Sequence, residues 1–474
     1  MNDRLTAVAA VFIALLLASC GPPPGSTAIA PAPQPSGPLA PAPLLEGVGQ
    51  VSMPITTRSA QAQTYFNQGM ALLYGYWWFE ARRSFEASVA SDSTCAMCHW
   101  GLSKSLSEGS GKARAALDNA KRLAQLAAGR EQHFIRASAL YDSIDTYAVA
   151  EEAFISEMES MLEVYPDDLD GRLFLIHFLM EDHDPDAPSS DPRRNPEPML
   201  QLLMEQRPDH LAVHHYWIHA VEAGRHPERS MKSAHKLASL APKAGHIVHM
   251  PGHVHYRTGD YERSHDFFVR AFSVDSTYQA EYGIPPHRNW NFVHNLNYLV
   301  ANCGEDGRYS EGLRWSQYLD QLPIDPDRPL VFYQGRLART RLQLRYGMWE
   351  QAASSLGELA GNDTLSGTFA DQFVAGTLAY ARGIAALERG DLEAATVQRK
   401  KLDEMEWIFM IGPVDTDDGF YSDKRRNTLR AFTRELRGMA HALEGDFDKP
   451  TRALEEAVDI VNEMGYAEPP EFAG

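Results

Sequence analysis

The chain has 474 residues, a formal net charge of −19 and 44% hydrophobic residues. So acidic a chain argues against nucleic-acid binding, which needs a basic face, and against broad contact with anionic lipid. Four cysteines over this length exclude a disulfide framework, while the apolar fraction suffices for a large core or a long solenoid.

Arg4 followed by the apolar run from Ala7 to Ala18 reads as an export signal, too short for a spanning helix. It ends in Leu17-Ala18-Ser19-Cys20-Gly21, which resembles the lipobox of bacterial lipoproteins. That resemblance implies a signal peptide over 1–19, a lipid on Cys20 as membrane anchor, and a bacterial cell. Gly21 rather than Asp favours the outer membrane, facing the periplasm or the cell surface. Residues 20–56, rich in Pro and Ala, are expected to be a linker and largely an extended tether.

From residue 57 to 474 the pattern is helical, with almost no period-2 alternation. Turns recur as Gly259-Asp260-Tyr261, Gly307-Arg308-Tyr309, Gly390-Asp391-Leu392 and Gly445-Asp446-Phe447, with Gly347-Met348-Trp349 as a variant. Gly252, Gly383 and Gly438 each lie seven positions before a turn glycine, and Phe268 follows Gly252 by sixteen, as Phe85 follows Gly69. This resembles the tetratricopeptide repeat, in which a small residue lets paired helices approach and an aromatic packs behind them. It implies an all-α solenoid, a right-handed superhelix of around ten antiparallel helix pairs over roughly residues 61–463. Glu181–Pro198 interrupts it as a proline-rich loop.

Tyr74-Gly75-Tyr76-Trp77-Trp78-Phe79 reads as an aromatic turn between the first two helices, part of the core rather than a recognition cage. Cys95-Ala96-Met97-Cys98-His99 matches the attachment motif of c-type haem. It also lies in a repeat helix, where two small packed thiols, a disulfide or a shared soft-metal site are alternatives. Cys303 is expected to be a packed thiol. The acidic stretch Gly412–Gly419 lacks EF-hand spacing and reads as a solvated loop.

Thirteen of the eighteen histidines fall between His210 and His294. His215 and His219 are four apart, as are His249 and His253, so each pair shares one face of a helix. On neighbouring first helices of successive repeats the two pairs would stand side by side on the concave face, with His294 closing a flank, His246 nearby, and Glu222 as a ligand or orienter. Imidazole suits Zn, Cu, Fe and Ni, so the residues do not choose the metal. No His-Glu-x-x-His is present, which disfavours a zinc peptidase of that type. The alternative is a buried polar network that fixes repeat packing. His133, His226, His235, His265 and His441 read as bystanders.

The runs Pro208–Glu222, Ala244–His253, His294-Asn295 and Cys95–Gly101 together resemble a group of poorly characterised bacterial histidine-rich repeat proteins. That group implies architecture and no secure activity. Asn297 stands where its pattern often has a further histidine. Three functions are open: an envelope interaction scaffold with a transition-metal site, binding protein partners; a metal-dependent hydrolase or oxidase using the histidines; and a monohaem cytochrome through Cys95, Cys98 and His99.

Overall fold

The turn glycines end helices as their spacing requires. Gly259, Gly307, Gly347, Gly390 and Gly445 all take φ between 65° and 81°, a region that costs a side-chain-bearing residue and not glycine. A computed structural model describes residues 39–107, 109–323, 329–360, 369–411, 419–445, 448–464 and 466. The signal segment, Cys20, the first part of the tether and residues 412–418 of the acidic loop lie outside the described residues.

The described residues form twenty α-helices and no strand, from Ala60–Tyr74 and Trp78–Ser91 to Gly419–Leu443 and Asp448–Glu463. Successive helices pack as hairpins joined by short turns, so this is an all-α, tetratricopeptide-like solenoid of ten pairs. The small-residue rule holds at atomic detail. A methyl group on Gly252 would lie 2.5 Å from the Phe268 ring. On Gly69 or Gly101 it would lie 2.6 or 2.4 Å from Phe85, so one buried phenyl ring fills the notch of two helices. The break expected over Glu181–Pro198 falls between Leu169–Leu179 and Pro196–Gln206, whose first turn takes in Pro196 and Pro198.

Residues 39–56 correct the linker expectation. They form no helix, yet Ala42, Val48 and Met53 are buried. Side chains meet their backbone in place of a ladder: Gln68 accepts from Leu45 N at 2.7 Å and donates to Pro43 O at 2.8 Å, and Arg83 donates to Ala40 O at 2.6 Å. Composition suggested a tether because the partners that satisfy this backbone come from helices further along the chain. The strap crosses to the histidine-rich section, where Gly47 O accepts from Lys243 N at 2.9 Å.

The first hairpin also packs on that section. Trp77 meets Tyr278 edge to face at 4.6 Å between centroids, and Tyr278 donates to the buried Glu80 carboxylate. The tip of the first hairpin, Gly75-Tyr76-Trp77, therefore lies over helices more than a hundred residues later. Among the described residues no helix is long and apolar enough to cross a membrane.

Candidate metal centre

Three helices carry the histidines: Leu211–Glu222, Gly245–Arg257 and Trp290–Glu305. Each is the first helix of its pair, and consecutive first helices touch. The N-terminal ends of the second and third are tied together by Asp275. Its buried carboxylate sits so close to the start of Gly245–Arg257 that a Cβ on Gly245 would lie 2.2 Å from Oδ1. The same Oδ1 accepts from Asn289 at 3.1 Å, at the start of Trp290–Glu305. Burial pushes this carboxyl up to about 7, against the pull of the Asn289 amide. Pro251 is accommodated inside its helix.

The expected pairs converge with three further groups. Centroids run from His219 to His215 at 4.8 Å, to His246 at 5.1 Å, to His249 at 4.9 Å and to His253 at 4.4 Å. Glu222 closes the circuit, with Oε1 2.7 Å from His219 Nδ1 and Oε2 2.8 Å from His253 Nδ1. His294 lies 5.1 Å from His249 and 5.9 Å from His246. His215, His249, His253 and Glu222 are fully buried, and the His219 side chain keeps 13% of its surface exposed, so solvent approaches from that side.

Each anchored ring is held by Nδ1. His215 Nδ1–H donates to Tyr74 O at 2.6 Å. Asn295 donates its amide to Phe268 O at 2.9 Å, which turns its Oδ1 to accept from His249 Nδ1 at 3.2 Å. Glu222 accepts from His253. These anchors leave Nε2 of the neutral rings as a bare lone pair, the arrangement that orients metal-binding imidazoles. Burial holds His215, His246 and His249 well below the usual imidazole range, so they are neutral at neutral pH.

Nε2 of His215 faces two nitrogens at once, Nε2 of His219 at 3.1 Å and Nε2 of His246 at 3.2 Å. It has one lone pair and cannot accept two protons. Ligands at ~2.0–2.1 Å from a first-row ion stand roughly 2.9–3.4 Å apart for angles between square and tetrahedral, so these spacings are those of neighbouring ligands. Two groups bring candidate ligand atoms within 4.8 Å of one another here: His215, His219 and His246, and His246, His249 and His294.

The aromatic turn is a wall of this site as well as core. Tyr76 has φ 52°, the sole side-chain-bearing residue with positive φ among those described. Its ring lies 4.6 Å from His215 and 5.4 Å from His219, and stacks on Trp78 at 5.4 Å. Trp290 donates to Tyr76 O at 2.9 Å and packs against His246 and His294. Sequence reasoning gave no role in the site to Tyr74, Tyr76, Asp275 or Asn295; the signals were the aromatic run at residues 74–79 and the pair His294-Asn295. Asn297 is buried, and its carbonyl oxygen accepts from Arg341.

Elsewhere, Cys95 and Cys98 are joined as a disulfide and buried, in place of the packed thiols that helix position suggested. His99 Nε2 is 3.1 Å from Ser93 O. In this arrangement the two sulfurs are bonded to each other and the His99 ring is turned to the backbone. His265, taken from sequence as a bystander, meets Glu311 at 2.9 Å beside Cys303, whose buried thiol is pushed up to about 12.

Fold and site together define a helical-repeat solenoid with a buried histidine–carboxylate centre. No protein-family model matches the chain, and no curated protein matches it. Among solved structures it is similar to human IFIT1, a dimer with PPP-AAAA, at 11% identity over 85% of this chain and 91% of that one, TM-score 0.42. It is also similar to a chain of the APC/C hetero-tetramer Cut9-Hcn1, at 12% identity over 84% and 76%, TM-score 0.35. Likenesses this distant say nothing about what this chain binds.

Proposed function

We propose that this protein is a transition-metal-binding solenoid of the bacterial cell envelope, lipid-anchored through Cys20, with His215, His219, His246, His249, His253 and His294 as its ligand set. The observation that carries the metal reading is His215 Nε2, one lone pair against two imidazole nitrogens. A packing network would need a proton in each contact; a cation of Zn, Cu or Fe type satisfies all three rings together. Anchoring of Nδ1 by Tyr74, Asn295 and Glu222 supports the same reading. Repeat solenoids are most often interaction surfaces, so the centre belongs to a scaffold that engages envelope proteins.

A second reading is a metal-dependent oxidase or hydrolase. It is favoured by the buried Glu222 carboxylate between two rings and by approach from the His219 side, which would admit only a small reactant. The test is elemental analysis with an absorption spectrum of the purified chain. Bound Zn, Cu or Fe that disappears in a His215→Ala/His249→Ala double variant, which breaks both triads, supports the metal centre. Metal-free protein that cannot be loaded sinks it, and a Soret band would return function to Cys95, Cys98 and His99.

A further inference from the structure

His246 belongs to both histidine triads, and one nitrogen cannot serve two ions. We propose that the cluster holds two metal ions and that His246 joins them as a bridging imidazolate: Nε2 to the ion held by His215 and His219, Nδ1 to the ion held by His249 and His294. The inference rests on the metal reading above.

The geometry distributes the nitrogens in this way. His246 Nε2 is on the His215 side, at 3.2 Å. If that atom gives its lone pair to a first ion, the ring proton must sit on Nδ1. Yet His246 Nδ1 is buried with no hydrogen-bond partner among the described residues. A buried N–H without an acceptor costs roughly 1–3 kcal/mol, and a second ion in place of that proton removes the cost. His249 Nε2 is likewise buried and unpartnered among the described residues, with its Nδ1 fixed on Asn295. It supplies a ready ligand on the other side of the bridge. The two halves are anchored separately, the first by Tyr74 O and Glu222 and the second by Asn295.

The charge balance is coherent. Five neutral imidazoles bind without losing protons, except His246, whose ring proton is displaced by the second ion and passes to solvent water. The imidazolate and the Glu222 carboxylate each cancel one positive charge in a site that burial makes costly for excess charge. Copper(II), high in the order of divalent affinities and suited to imidazole, is the ion of choice for such a bridge.

The test is a copper(II) titration of the metal-stripped full chain, counting bound copper after desalting and recording electron paramagnetic resonance. The expected result is two equivalents. The signal should grow with the first and fall with the second, as the two spins couple through the imidazolate. His215→Ala and His294→Ala should each keep one equivalent with an uncoupled signal. One equivalent in the wild type, or two with additive signals, overturns the bridge and leaves the metal reading standing. No copper, zinc or iron bound at all overturns both. Circular dichroism checks that each variant folds, and the wild-type titration decides the matter alone if one does not.

Discussion

Glu222 holds His253 by its Nδ1 at 2.8 Å, and both side chains are fully buried. The other carboxylate oxygen reaches His219 Nδ1 at 2.7 Å, so one anion orients rings on two helices. Glu222→Gln turns an N–H towards one of the two ring nitrogens that the carboxylate now faces. Metal affinity should fall about 10–100-fold, the usual effect of losing such an orienting partner. Competition with a chelator of known affinity measures it; unchanged affinity would mean that Glu222 orients nothing.

Asp275 gives a pH dependence with a definite sign. Its carboxyl is raised to about 7, above the ordinary aspartate value of 3.8 that holds in the unfolded chain. The fold therefore favours the protonated acid. The favourable contribution is complete below about 4 and is lost as pH rises through 7, by at most about 4 kcal/mol. Asp275→Asn should flatten that window. The informative quantity is the difference in unfolding free energy between wild type and variant from pH 4 to 8, which should favour the variant increasingly up to about 7.

The histidines act in the opposite direction. His215, His246 and His249 stay neutral below the pH at which the unfolded chain takes up protons. Stability is fully present above about 6.5 and falls as pH drops below it. The metal-free protein should lose thermal stability between pH 6.5 and 5, and a triple His→Gln variant at these positions should lose less over the same interval.

Two glycines in helices should respond with opposite sign. Gly252→Ala puts a methyl 2.5 Å from the Phe268 ring, beneath His249 and His253, and should cost about 1–3 kcal/mol. Gly357→Ala meets nothing within 4 Å and should stabilise by about 0.5–1 kcal/mol. Chemical denaturation of both variants reads the contrast. A neutral Gly252→Ala would remove the close approach from the account of the repeat.

Tyr76 covers the His219 side at the cost of a left-handed backbone, about 1–2 kcal/mol for a side-chain-bearing residue. Tyr76→Gly relieves that backbone and opens the site. Metal loss to excess chelator should become at least ~10-fold faster if the ring is what limits access. Stopped-flow transfer to a coloured chelator distinguishes this from an unchanged rate, which would mean that the ring only packs.

Local patterning determined the helices, because a 3.6-residue repeat and turn glycines act over a few residues. It therefore placed His215 with His219 and His249 with His253 on shared faces, and the notch of Gly252 opposite Phe268. It put His294 on a flank and Glu222 beside His219 as a ligand or orienter, and it marked His246 as near the site without a place. Only the tertiary structure put His246 between two triads and Glu222 between two rings. The reason is distance along the chain: Tyr74 O meets His215 across 141 residues and Tyr76 O meets Trp290 across 214. Such contacts arise when the first hairpin folds back over the fifth, sixth and seventh, and no periodicity encodes that closure. The packing of residues 39–56 and the tie made by Asp275 between two helix starts follow from the same folding back of distant helices, whose polar groups satisfy one another only once they meet.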